Sequence, residues 1–254
     1  MTTPTAPTAT PAAAPAPAHR SRILSAFRLQ FIVRQMVWVP LVVFVVSWLI
    51  ALGIAVWLRS ILDQGVNAGS PIYTGASQAA IWTVAFMAAY AASHTFPFGL
   101  ALSYSRRVYM TGTALAFLAV SAGFGLLFGI GAALEQATDG FGIHAYNFAL
   151  PYLMRDGAVG AGVFATLVCL VAMLVGFVSA MLYKRVSVMQ LWLIILGITV
   201  ILAAALLAVI QNDALPTVWQ WIVEQTPLSL SAWLVAAAAA LTALGYGLIR
   251  RATP

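Results

Sequence analysis

Apolar residues gather into six long blocks, roughly 37–57, 76–96, 110–132, 158–182, 188–210 and 229–249. Each approaches the ~20 residues that cross a bilayer at about 1.5 Å per residue. Polar, proline- or glycine-rich stretches separate them: "RSILDQGVNAGSP", "HTFPFGLALSYSRR", "EQATDGFGIHAYNFALPYLMRDG", "YKRVS" and "QNDALPTVWQWIVEQTPLS". The pattern predicts an all-α polytopic membrane protein with six transmembrane helices. Residues 1–18 contain only Met, Thr, Pro and Ala, with no charge and no period. They predict a disordered tail, ending at residue 19, before one six-span membrane domain over 20–254.

Ahead of the first block, "RSRILSAFRLQFIVRQ" places Leu24, Phe27 and Phe31 on one apolar stripe at helical spacing. Arg22, Arg28 and Arg34 accompany it. This suits an interfacial helix whose arginines reach lipid headgroups. A plain positive flank before a span would read similarly.

Composition supports a membrane protein. Hydrophobic residues make up 63% of the chain and charged residues 7%, against about 25% charged in soluble domains. The net charge of +6 is placed at span ends, which argues for orientation and against nucleic-acid binding. With the N-terminus inside, the inner segments hold Arg20, Arg22, Arg28, Arg34, Arg106, Arg107, Lys184, Arg185, Arg250 and Arg251, and no acid. The outer segments hold Arg59, Arg155 and every acid: Asp63, Glu135, Asp139, Asp156, Asp213 and Glu224. The positive-inside rule therefore predicts cytoplasmic termini.

The chemistry of catalysis is missing. There is no HExxH, no GxSxG elbow, no phosphate-binding GxxxxGK[ST] and no paired cysteines, so an enzyme is not expected. No block has a carboxylate at its centre, which counts against a proton- or sodium-coupled carrier. His94 beside Thr95 and Pro97 reads as a helix-end residue. Cys169 lies within a block and reads as a small packing residue. Gly125 and Gly129, four apart, predict close helix packing, and Gly157, Gly160 and Gly162 offer a second such face.

The polar step between the second and third blocks is the sharpest feature. Pro97 is expected to stop the helix near Phe96, letting the chain turn along the membrane surface. Phe96, Phe98, Leu100 and Leu102 would rest in the interface, with Ser103, Tyr104, Ser105, Arg106, Arg107 and Val108 presented to the cytosol. The stretch "FPFGLALSYSRRVYMTGTALAF" resembles the membrane subunit of ABC-2-type transporters, in the small bacterial exporter branch. An FPF-like turn, an apolar run, paired arginines and a Thr-Gly-Thr entry into the third span carry the likeness. Six spans, an interfacial helix and the amphiphilic outer segment "ALPTVWQWIVEQTPLSLS" accompany it.

The resemblance implies a permease subunit in a bacterial cytoplasmic membrane, paired with a second copy or a related subunit. Residues 98–108 would be the element coupled to a separate ABC ATPase, which would carry the ATP and Mg; this chain would need no cofactor. The re-entrant outer segment would map to about 214–228, with Trp219, Trp221 and Pro227 at the interface. A hydrophobic or amphipathic cargo would fit the composition. Read from the residues alone, a membrane anchor or assembly subunit recruiting a cytoplasmic partner remains the alternative. The aromatic loop at 134–157, with Phe141, His144, Tyr146, Phe148 and Tyr152, departs from the resemblance.

The charge distribution makes a testable statement. In a Cys169→Ala background, cysteines at Asp139 and Asp213 should react with an impermeant thiol reagent from outside, and one at Arg107 should not. External labelling at position 107 would overturn the inside-inside topology.

Overall fold

A computed structural model describes residues 19–32, 34–62 and 70–250. The expected tail, Asp63, Arg251 and the side chain of Arg20 lie outside the described residues. Among those residues the helices are α1 (His19–Gln30), α2 (Gln35–Leu62), α3 (Ser77–Tyr90), α4 (Phe96–Ala101), α5 (Arg106–Ala137), α6 (Gly157–Tyr183), α7 (Val188–Gln211), α8 (Leu215–Glu224) and α9 (Pro227–Arg250). Five of them, α2, α5, α6, α7 and α9, are long and apolar enough to cross a membrane. The chain has the character of a multi-pass membrane protein.

The expected stop at Phe96 does not occur. A π-helical turn, Ala91–Thr95, joins α3 to α4, and Tyr90 and Phe96 both keep right-handed helical backbone. Helix therefore runs unbroken from Ser77 to Ala101. Pro97 has no N–H, and so offers none to the Ser93 carbonyl four residues earlier. Lys184 Nζ donates to that carbonyl at 2.7 Å. Two residues earlier, the Ala91 carbonyl accepts the Phe96 amide across the π-helical turn and the Thr95 hydroxyl at 2.7 Å. The proline displaces hydrogen bonds without ending the helix.

Glycines mark where neighbours cross helix α5. A Cβ at Gly112 would stand 2.6 Å from Ala26 Cβ on α1. At Gly125 it would meet the Thr166 hydroxyl and, at 2.6 Å, the Gly162 carbonyl oxygen on α6. Gly129 faces the same helix, 3.1 Å from the Ala158 carbonyl by the same construction. A further crossing joins α6 to α3, where a Cβ at Gly176 would come within 2.9 Å of the Ala85 carbonyl carbon. Phe117, Phe177, Met173 and Leu174 fill the core around these crossings.

The first helix packs by a face other than the expected lipid-facing stripe. Its buried face is Ala26, Leu29 and Gln30, at 0%, 4% and 0% exposure, because that face meets Gly112. Leu24 is exposed, Phe27 and Phe31 are half-buried, and Arg22 and Arg28 project outward. Leu29, off the expected stripe, is core. The helix ends at Gln30, and Arg34 belongs to the start of α2, its carbonyl accepting from the Val37 and Trp38 amides.

Helix α7 stands apart, with no buried residue. A capping box opens it: Ser187 and Gln190 each bond the other's backbone N–H. At the opposite end, Arg155 Nη1 caps the α8 carbonyl of Val223 at 2.7 Å. Its neighbour Asp156 accepts the Leu228 amide at the start of α9 at 2.8 Å. A cation at one helix C-terminus and an anion at the next N-terminus both oppose the local dipole charge.

Leucine at Gly125 or Gly176 should break the α5–α6 or α6–α3 crossing. Overpacking costs about 1–3 kcal/mol when side chains can yield; here backbone blocks the way, so the cost should lie at or above that range. Gly123→Leu, with nothing within 4 Å of its Cβ position, is the control. Thermal unfolding of the three purified variants gives the comparison.

Candidate functional site

The polar step closes helix α4 and opens α5. Its chain reversal uses Ser103 in left-handed backbone (φ 59°). The Ser103 amide donates to Leu100 at 2.9 Å and the Tyr104 amide to Gly99 at 3.1 Å, satisfying carbonyls at the end of α4. Ser105 is the N-cap of α5, its hydroxyl accepting the Val108 amide at 3.3 Å. Serine suits this position because its oxygen replaces a missing helical acceptor.

The candidate coupling residues divide between two environments. Ser103, Ser105 and Arg107 are exposed, Tyr104 and Arg106 are half-buried, and Val108 turns inward at 4% exposure. Val108 therefore belongs to the core and cannot be part of a docking face. Both arginines reach the end of α9. Arg106 Nη1 donates to the Arg250 carbonyl, and Arg107 Nε donates to the Tyr246 hydroxyl at 3.0 Å. They fasten the start of α5 to the end of the last helix.

Beneath this turn lies a buried polar cluster that sequence reading missed. Gln30 Nε2 donates to the Thr113 hydroxyl at 2.8 Å, and Gln30 Oε1 accepts from the Thr95 hydroxyl at 3.0 Å. Thr95 and Tyr109 oxygens lie 2.9 Å apart, and the Tyr109 hydroxyl also reaches the Ala91 carbonyl at 3.2 Å. Gln30, Tyr109 and Thr113 are each 0% exposed. The network joins α1, the π-helical turn and α5 in one place. Its members lie scattered over 83 positions of sequence, so no local motif announces them. His94 stands outside it, exposed and stacked on Tyr90 at 4.0 Å.

At the opposite end of α5 the aromatic loop folds back over the bundle. Glu135 was expected in an outer loop; it lies in the last turns of α5 and is 0% exposed. Its carboxylate accepts three consecutive backbone amides, from Asn147 at 3.0 Å, Phe148 at 2.8 Å and Ala149 at 2.9 Å. Successive amides converging on one anion form a nest. Phe148 is thereby driven into the core against Phe44 and Phe128, at 5.4 and 5.0 Å between ring centres. A Cβ at Gly131 would strike that ring at 2.6 Å.

The same loop binds the segment before α3. Strands β1 (Ile72–Tyr73) and β2 (Ala145–Tyr146) pair in parallel, Ile72 against Ala145. Asn147 Oδ1 accepts the Thr74 hydroxyl at 3.0 Å and the Ser77 amide at 3.3 Å. Arg59, in the last turn of α2, donates to the Ile143 and Ser70 carbonyls. On the outer surface, Tyr146 donates to Asp139 at 2.6 Å, and His144 Nδ1 stands 3.0 Å from the other Asp139 oxygen. The Tyr146 bond, aided by His144, holds the Asp139 carboxyl below its ordinary value, while Asp139 pushes the Tyr146 phenol up to about 12.

Comparison with known proteins found no matching family model, no matching curated protein and no matching solved structure. Among the described residues no group of His, Cys, Asp and Glu could hold a metal ion.

Two measurements follow from the loop. Glu135→Ala strips three buried amides of their acceptor, at about 1–3 kcal/mol each, and should markedly lower the melting temperature. Asp139→Asn should return the Tyr146 phenol towards 10, seen as a tyrosine absorbance transition shifted to lower pH and absent in Tyr146→Phe. By linkage, the lowered Asp139 carboxyl contributes stability that is present above its unfolded value and lost as pH falls through its depressed folded value. The raised Tyr146 phenol contributes below pH 10 and loses that contribution as pH rises through about 12.

Proposed function

We propose that the chain is the membrane-spanning permease subunit of an ATP-driven exporter of the ABC-2 type, in a bacterial cytoplasmic membrane. The observation that carries the reading is the Leu102–Ser105 turn, with its exposed serines and Arg107, which opens α5 one helical turn before Tyr109 of the buried Gln30–Thr95–Tyr109–Thr113 cluster. That cluster ties α1 and α5 to the same π-helical turn. Two such subunits would enclose the path, and separate ATPase chains would bind and hydrolyse ATP.

The unbroken helix Ser77–Ala101 supports a sixth span. Its 25 residues measure roughly 37 Å at the α-helical rise, enough for the ~30 Å hydrocarbon layer. The charge distribution supports a cytosolic turn and cytosolic termini. Residues Ser103, Ser105 and Arg107 would make the ATPase contact, and Arg106 would hold the α9 end in register. The alternative is a membrane anchor or assembly subunit that recruits a cytoplasmic partner; both arginines also bond α9.

Reversal of charge separates the two readings. Lost charged contacts at a partly buried interface cost about 2–5 kcal/mol, a factor of roughly 30 or more in association. Arg107→Glu should reach the membrane, retain its melting temperature within that of Tyr246→Phe, and lose co-purification of the ATPase or substrate-stimulated hydrolysis. Arg106→Glu/Arg107→Glu should lose coupling as well. Normal ATPase binding and export in both would assign the arginines to the α5–α9 contact alone.

A further inference from the structure

Helices α3 and α6 touch where Gly176 meets Ala85. From that crossing they part towards Ser77 and Phe164, and a cavity of about 490 Å³ opens between them. Phe124 and Phe128 of α5 form its floor, and Leu150 and Leu153 of the aromatic loop roof it. We propose that this cavity holds one acyl chain of a membrane phospholipid. The inference is independent of any ATPase.

Three properties of the cavity select that occupant. No charged side chain lines it, and its polar lining, apart from the Cys169 thiol, is Ser77 and Gln78 at the end of α3. That is the arrangement for an uncharged tail with a polar group held at one end. Second, Trp82 and Val175 line it while remaining 65% and 45% exposed. The cavity therefore opens through the apolar flank of the bundle, where lipid tails lie. Third, its size excludes a partner helix. A cylinder of the ~10 Å helix diameter would fill 490 Å³ with a length of roughly 6 Å, about one turn. A thin flexible chain can enter where a helix cannot.

The energetics agree. Tails of the bilayer are as apolar as the lining, so entry involves no loss of hydration. An empty apolar space forfeits dispersion contacts, and it holds water poorly because water needs polar partners. Its roof is also firmly held, since Leu150 follows directly on the three amides gripped by Glu135. The cavity is thus a built feature of the outer half of the bundle.

The sole cysteine supplies the test. Cys169 is 5% exposed and lies in the cavity wall, so a bilayer chain meets it only by entering. The full chain is reconstituted in phosphatidylcholine vesicles doped with a phosphatidylcholine carrying a photoactivatable diazirine in one acyl chain. After irradiation, adducts are mapped by mass spectrometry. Adducts at Cys169 are expected, together with adducts on the exposed residues of helix α7 as the internal reference. Ala172→Phe and Val168→Trp, which fill the cavity, should abolish the first set and leave the α7 adducts unchanged. Labelling of α7 without the cavity wall in the wild-type chain would overturn the proposal. So would cavity adducts that persist in both filled variants. A parallel arm uses a diazirine fatty acid; wall adducts from it alone would overturn the phospholipid as the source.

Discussion

Close approach at glycine is the constraint on which the helix packing depends. Helix α5 is met in this way by α1 at Gly112, by α6 at Gly125 and Gly129, and by the ring of Phe148 at Gly131, and α6 meets α3 at Gly176. In a bilayer, burial of apolar surface gives little drive to associate, because lipid is as apolar as leucine. Contact surface and hydrogen bonds must hold the helices together instead. Glycine supplies contact by letting backbones meet, and α5 uses it along most of its length. Helix α7, which has no such crossing, stands free.

Polar side chains complete the structure by serving backbone groups that regular helix leaves unpaired. Lys184 serves the Ser93 carbonyl beside the π-helical turn. Glu135 serves three loop amides, Arg59 two carbonyls on the same side, and Arg155 the end of α8. These residues were counted as topological charges in the sequence. Each also does a specific local task, because an unsatisfied buried backbone group costs as much as a lost hydrogen bond.

The two ends of α5 are built on opposite plans. At one end a buried neutral network joins three segments and leaves an exposed polar turn above it. At the other, a buried carboxylate clamps an aromatic loop down over the bundle and roofs an apolar cavity. A single helix of 32 residues connects the two.

The sequence by itself determined the membrane character, the apolar blocks, the breaks between them and the location of the polar turn. These follow from composition and period, which are local. It also marked Gly125 and Gly129 through their spacing of one helical turn. Tertiary structure decided what the local pattern could not carry. Which face of α1 is buried depended on Gly112, more than 80 positions away, so Ala26, Leu29 and Gln30 are core while Leu24 is exposed. Whether Pro97 ended a helix depended on the π-helical turn before it, which carries the helix through to Ala101. Whether Glu135 stood in water or in a nest depended on amides that the loop returned to it. For α1 and for Glu135 the deciding atoms lay elsewhere along the chain, and only folding brought them within hydrogen-bonding or van der Waals range.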